Sequence, residues 1–154
     1  MKYQKTAFSL VELIITVVFL GIFAVIAVPR LNFATISKQK AEAVARKVAT
    51  DLRLTRRLAI SDAVNNTMGF ELKMIGPVPY NRYEIENVKT KATIASHILD
   101  LDISISCPTG VRFIYGPLGN LIPGSATQLI ISGGGKSFTI TINLATGIVK
   151  CVEN

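Results

Sequence analysis

Hydrophobic and polar positions divide this chain into three zones with different periods. The first zone, residues 8–29, is almost entirely apolar, and residues 13–28 contain one polar side chain, Thr16, and no charge. A helix of about 20 residues spans the roughly 30 Å hydrocarbon core of a bilayer, so this zone predicts a membrane helix. Lys2 and Lys5 precede it, which predicts a single-pass membrane protein with its N-terminus in the cytoplasm and the rest of the chain outside.

In the second zone, residues 30–65, apolar residues recur at steps of three and four, which predicts an amphipathic helix. The stripe contains Ala41, Val44, Ala45, Val48, Leu52, Thr55, Leu58 and Ala59. If the apolar helix continues through Pro29 with a kink, a single helix of about 55 residues begins at Phe8. Half of it would be embedded in the membrane, and the amphipathic half would need a globular head to cover its stripe.

In the third zone, from residue 66 to the end, the period changes to two, which predicts strands. Alternation is clearest at residues 70–74, 101–106 and 138–142, and shorter strands are predicted at 80–85, 111–115, 128–132 and 148–152. Residues 86–97 are polar and poorly patterned and predict a loop. The fold class expected is α+β, in which a long N-terminal helix packs on a C-terminal antiparallel β head.

Composition agrees with one small folded domain behind a helical anchor. Hydrophobic residues make up 49% of the 154 positions and charged residues 18%, which excludes a disordered chain. Residues 1–7 are predicted to be a targeting leader and are set apart from the fold. The domain organisation expected is therefore leader 1–7, apolar helix 8–29, amphipathic helix 30–65 and β head 66–154.

The net charge of +7 is concentrated on the amphipathic helix. Candidate residues for contact with anions on this helix are Arg46, Lys47, Arg53, Arg56 and Arg57. Three interpretations remain open: a solvated helix face, contact with anionic lipid or acidic neighbouring subunits, and nucleic-acid binding. Few aromatic residues are interleaved with these charges, so the stretch offers no stacking platform for single strands.

Cys107 and Cys151 are the only cysteines. Both lie in the part predicted to be outside the cytoplasm, where disulfides persist. A bridge between them would close a loop of about 45 residues and contribute about 3–4 kcal/mol to stability. We expect this bridge, and the alternative is two free thiols on separate strands.

Signals for catalysis, metals and cofactors are weak. Asp100 and Asp102 share one face of a predicted strand, which indicates a solvated face rather than a calcium site with six or more oxygens. His97 is the only histidine and has no cysteine or acid at ligand spacing. No nucleophile–base pair stands out, so we expect neither an enzyme nor a metal or cofactor site.

Glu12 is the one carboxylate within the apolar zone. Its carboxylate would lie at the depth of the lipid headgroups, or it would pair with a cationic group of another subunit. The stretch AFSLVEL, the apolar run and Pro29 together resemble the prepilin signature shared by type IV pilins and type II secretion pseudopilins. The resemblance covers about 22 residues, and it departs from the family at Ala7, where glycine is usual.

The resemblance implies an inner-membrane protein with a periplasmic head, and a specific maturation and assembly. A prepilin peptidase would cut between Ala7 and Phe8 and methylate the new N-terminus at Phe8. Glu12 would then neutralise the N-terminal amine of a neighbouring subunit, and Pro29 would kink the helix. Membrane lipid would surround the helix before assembly, and other pilin or pseudopilin subunits would surround it afterwards.

The later part of the chain is similar to minor pseudopilins of the GspH and FimT type. The similarity is carried by DLRLTRRLAISDA at the helix end, by RFIYGPLGN and by the final FTITINLATGIVK. The function expected is a minor filament subunit of a type II secretion system or type IV pilus. The alternatives are a FimT-like pilin that binds DNA for uptake, a major structural pilin and a generic anchored adaptor.

Overall fold

A computed structural model of the protein describes residues 9–27, 33–100 and 102–154. Helix α1 is Leu10–Ala27 and helix α2 is Phe33–Ser61. The strands are β1 Phe70–Ile75, β2 Arg82–Asn87, β3 Thr93–Ile98, β4 Ser104–Ser106, β5 Arg112–Tyr115, β6 Gln128–Gly133, β7 Lys136–Ile142 and β8 Val149–Glu153. The chain divides into two compact units, Met1–Phe33 and Ala34–Asn154.

Helix α1 lies within the apolar run that predicts it. Its 18 residues extend about 27 Å at 1.5 Å per residue, which is less than the hydrocarbon core of a bilayer. None of the helices that the structure describes is both long enough and apolar enough to cross a membrane. The predicted single-pass anchor in the inner membrane, with a cytoplasmic N-terminus and a periplasmic head, is therefore wrong.

The predicted single helix from Phe8 is also wrong, because the structure contains two helices where one was expected. Residues 28–32, which include the predicted kink at Pro29, lie outside the described residues. The expected fold class is therefore wrong in its helical part, which was predicted as one helix with a membrane half and an amphipathic half. The architecture observed is two helices and two antiparallel sheets.

Helix α2 buries the stripe that the sequence spacing places on one face. Ala41, Ala45, Val48, Leu52 and Ala59 are each fully buried, as is Thr55. Val44 and Leu58 are partly buried at the margins of the stripe. Positions three and four apart lie on the same side of a helix, so one stripe is enough to hold α2 against the rest of the unit.

Both sheets in the Ala34–Asn154 unit have four antiparallel strands. Sheet A has the order β3-β2-β1-β5, and sheet B has the order β4-β6-β7-β8. The chain enters sheet B at β4, returns to sheet A for β5 and then completes sheet B with β6, β7 and β8. Buried residues of α2 and of both sheets form one hydrophobic core.

Most strands occur where the two-residue period predicts them, and the clearest is β7, in which Phe138, Ile140 and Ile142 are buried. Strand β3 is the exception, because residues 86–97 were expected to form a loop. Both faces of β3 are largely exposed, so its sequence carries no alternation of apolar and polar residues. Only residues 104–106 of the predicted strand 101–106 are β-structure, and Leu101 lies outside the described residues.

We predict that the stability of this unit depends on the buried stripe of α2. Leu52→Ala should lower the free energy of unfolding by about 2–5 kcal/mol, since a fully buried leucine leaves a cavity. Leu54, two positions along the same helix and 36% exposed, provides the matched control. Leu54→Ala should cost about 1 kcal/mol or less in urea-induced unfolding. Equal losses in the two variants would contradict the assignment of the buried face.

Candidate functional site

Helix α1 is apolar on all sides and has little cover. Twelve of its large apolar side chains, from Leu10 to Val25, are each at least 50% exposed. A helix with such a surface is normally buried in a protein core or between other helices. A surface of this size marks an interaction site, and α1 is therefore the first candidate for function.

Glu12 lies in the first turn of α1, where the positive end of the helix dipole favours a carboxylate. The only other polar side chain inside the helix is Thr16, whose hydroxyl donates a hydrogen bond to the Glu12 carbonyl oxygen. The Thr16 hydroxyl is thus satisfied within the helix. Glu12 is left as the one group in α1 that requires a charged partner once the helix is covered.

Two of the five predicted basic residues pair along helix α2 itself. The Arg46 guanidinium binds the Glu42 carboxylate with an Nη2–Oε1 distance of 2.7 Å. The Lys47 ammonium lies 3.6 Å from the Asp51 carboxylate. Both are pairs of residues four apart, which stabilise a helix by a few tenths of a kcal/mol, about 0.2–0.5.

Two more of these residues bind backbone carbonyls of the sheets and loops. Arg53 Nη2 donates to the Val149 oxygen at 3.3 Å, and Arg56 Nε donates to the Gly119 oxygen at 3.0 Å. Arg57 is exposed and has no hydrogen bond or ion pair within the described part of the chain. Two of the five candidate residues, Arg46 and Lys47, are therefore paired with carboxylates, and the surface available to anions is smaller by these two charges.

Arg56 lies where two glycine turns meet. A Cβ atom on Gly147 would come within 1.9 Å of the Gly119 carbonyl oxygen, so the two turns are in backbone-to-backbone contact. Both glycines have positive φ, 77° at Gly119 and 65° at Gly147, a conformation that L side chains rarely adopt. The sequence shows both turns but gives no sign that Arg56 joins them.

Asp51 forms a polar cluster with Tyr83 and His97 that was not predicted from the sequence. The Tyr83 hydroxyl donates to Asp51 Oδ2 at 2.5 Å, and His97 Nε2 lies 3.5 Å from the same oxygen. Burial raises the pKa of the Tyr83 hydroxyl, and the hydrogen bond to Asp51 raises it further. The phenol therefore stays protonated and keeps donating. The available signal was that Asp51 lies three residues after Val48, on the buried stripe.

A second buried carboxylate, Glu71 of β1, is bound by Arg112 of β5. The two hydrogen bonds are 2.6 Å and 2.9 Å long, and Glu71 is 1% exposed. The hydrogen bond to Glu71 raises the pKa of the Arg112 guanidinium above its usual value. A bidentate pair of this kind fixes the position of one strand beside the next.

The disulfide predicted between Cys107 and Cys151 is not formed, and both residues are free thiols. Cys107 directly follows β4 and Cys151 lies in β8, and these strands are the opposite edges of sheet B. Three strand spacings of about 4.8 Å separate the two edges, whereas the Cα atoms of a disulfide lie about 4.4–6.8 Å apart. The prediction is wrong because sequence distance does not reveal the order of strands.

We predict that the folded, unreduced protein has two thiols of different reactivity. Burial raises the pKa of Cys107 to about 12, so about one Cys107 thiol in 10⁴ is ionised at pH 8. The pKa of Cys151 is also raised by burial, and the positive charges of Arg46 and Arg53 oppose part of this rise. A chromogenic disulfide reagent at pH 8 should therefore detect a faster phase that disappears in Cys151→Ser and remains in Cys107→Ser. If no thiol were detected in the wild-type protein until a reductant is added, the predicted disulfide between Cys107 and Cys151 would be supported instead.

The predicted site residues fall into three groups. Ala7, Phe8 and Pro29 lie outside the described residues, Glu12 belongs to α1, and the basic and sulfur-containing side chains belong to the Ala34–Asn154 unit. No group of three histidine, cysteine or acidic side chains within residues 9–27, 33–100 and 102–154 could hold a metal ion. No protein-family model matches this chain, and no curated protein or solved structure matches it significantly.

Proposed function

We propose that this chain is a subunit of a helical filament of the type IV pilin or type II secretion pseudopilin kind, and that α1 is its assembly element. The observation that carries the proposal is the uncovered apolar surface of α1, from Leu10 to Val25. Copies of the same helix packed side by side would cover it. A contact that repeats without closing generates a helical filament rather than a small oligomer.

The proposed packing gives Glu12 its role. A carboxylate removed from water requires a counter-charge, and a bundle of α1 helices contains no basic side chain within the helix to supply one. The N-terminal amine of a neighbouring subunit would supply it if the chain begins at Phe8, one helical turn before Glu12. This proposal therefore includes cleavage after Ala7 and N-methylation of Phe8, since a methylated amine keeps its positive charge.

The role proposed for the Ala34–Asn154 unit is that of a small β-rich head in a minor subunit. Its similarity to the GspH and FimT type in the segments described above supports this assignment. Two of the five candidate basic residues on α2 are neutralised by carboxylates of the same helix, which weakens the alternative of DNA binding. A filament subunit is therefore the function that we propose, in a type II secretion system or a type IV pilus.

The first test is the mass of the N-terminal peptide of the protein isolated from its native cell. We expect a peptide that begins at N-methylated Phe8. An intact Met1, or a first residue other than Phe8, would show that the leader is not removed at Ala7. In that case the amine that Glu12 is proposed to neutralise would be in the wrong place.

The second test compares Glu12→Gln with Thr16→Val in the native cell. Glutamine keeps the size of the side chain and removes its charge, and breaking a buried pair costs about 3–5 kcal/mol. We expect the amount of subunit in sheared filaments to fall at least tenfold for Glu12→Gln and to stay within about twofold for Thr16→Val. Total subunit measured by immunoblot controls for degradation. Assembly of Glu12→Gln at the wild-type level would overturn the proposed charge pair.

A further inference from the structure

Sheet B ends at β8, whose outer edge has no partner strand in the described part of the chain. The Asn143 N–H donates to the Ile148 oxygen at 3.0 Å, and the Asn154 N–H donates to the Ser137 oxygen at 2.9 Å. Hydrogen-bonded and non-hydrogen-bonded pairs alternate in an antiparallel ladder. The backbone groups of Lys150 and Val152 therefore point to β7. Those of the residues between them, Val149, Cys151 and Glu153, point outward.

A groove runs between this edge and helix α2. Its volume is about 440 Å³. The lining residues are Glu42, Arg46, Ala49, Thr50 and Arg53 of α2, Phe138 of β7, and Cys151 and Glu153 of β8. Alternate side chains of a strand point to one face, so a strand added to β8 would send every second side chain into this groove.

The charged residues that line the groove are two arginines and two glutamates, and among them only Arg53 has no charged partner in the described part of the chain. Arg53 is exposed and its partner, the Val149 carbonyl, is neutral, so its charge is not compensated. Arg46 shares its charge with Glu42 but is 77% exposed at the side chain. At the far end, the Glu153 carboxylate is neutralised by Lys136. A carboxylate carried by the incoming strand would therefore meet an arginine beside Val149 or Cys151.

We propose that the β8 edge and this groove bind an extended acidic segment of another protein by strand addition. The segment would pair its backbone with the outward groups of Val149, Cys151 and Glu153. Its carboxylate would draw Arg53 away from the Val149 oxygen and bind it together with Arg46. The Val149 carbonyl would then become available to the added strand. This inference concerns the head alone and does not depend on the filament role.

The charge of β8 favours an acidic partner over a second copy of the same edge. Strand β8 carries one base, Lys150, and one acid, Glu153, and this acid is already paired with Lys136, so a second copy of β8 brings no free carboxylate to Arg53. The edge formed by β3 is a weaker candidate. It exposes Ile94 and Ile98, and the groove beside Ile98 contains one arginine, Arg82, whose charge is paired with the Glu84 carboxylate.

The test uses the full chain, kept dispersed by a mild detergent, and a nine-residue labelled peptide. The peptide has valine at even positions and threonine or glutamate at odd positions, and a second peptide has lysine in place of glutamate. We expect the acidic peptide to bind and the basic peptide to bind at least tenfold more weakly. Arg53→Gln and Arg46→Gln should each weaken binding of the acidic peptide about tenfold in fluorescence anisotropy, the loss of one charge-assisted contact.

Arg57→Gln provides the matched control, because Arg57 is an exposed arginine on the same helix that does not line the groove. It should change the affinity less than twofold. Slowed amide exchange on peptide binding should appear at Val149, Cys151 and Glu153. Equal losses for all three arginine variants, protection at β3 instead, or no binding of the acidic peptide would overturn the proposal. Protection at β8 that grows with protein concentration and needs no peptide would also overturn it, in favour of a second copy.

Discussion

One face of helix α2 must be kept from water, and both sheets meet on that face. Ala41 and Ala45 have small side chains, which lets the strands approach closely: a Cβ atom on Gly133 of β6 would lie 3.1 Å from that of Ala41. The same face carries Asp51, whose carboxylate is bound by Tyr83 of sheet A. The helix therefore sets the position of sheet B through contact distance and that of sheet A through a hydrogen bond.

The basic residues of α2 show that net charge along a sequence is a poor measure of charge available at a surface. Arg56 donates a hydrogen bond to the carbonyl oxygen of a turn, and Arg53 donates one to the edge of sheet B. Guanidinium groups suit this task because they carry several donors in a fixed plane and a long apolar stem. The charge available to a partner depends on which of these contacts can be exchanged, and the bond from Arg53 to Val149, at 3.3 Å, is longer than the bond from Arg56 to Gly119, at 3.0 Å.

Periodicity predicted the helix and strands that bury one face. It did not predict a strand that is exposed on both faces, or contacts between residues that are far apart in the sequence. The stripe of α2 and strand β7 were predicted because each alternates between core and water. Strand β3 was not, since an edge strand exposed on both faces needs no pattern. An apolar run indicates that a segment avoids water but does not say how many helices form, so one helix was predicted where the structure has two. The partners of Asp51 lie 32 and 46 residues further along the chain, at Tyr83 and His97, and no local pattern reports them.

The path of the chain through the two sheets has a consequence for how the Ala34–Asn154 unit unfolds. Because β5 lies in sheet A while β4 and β6 lie in sheet B, the chain leaves sheet B after β4, passes through sheet A and returns to sheet B. Neither sheet is formed by one uninterrupted stretch, and α2 contributes side chains to the core that they share. We therefore expect the two sheets to open as one cooperative unit, so that amide protons deep in either sheet exchange through the same global unfolding.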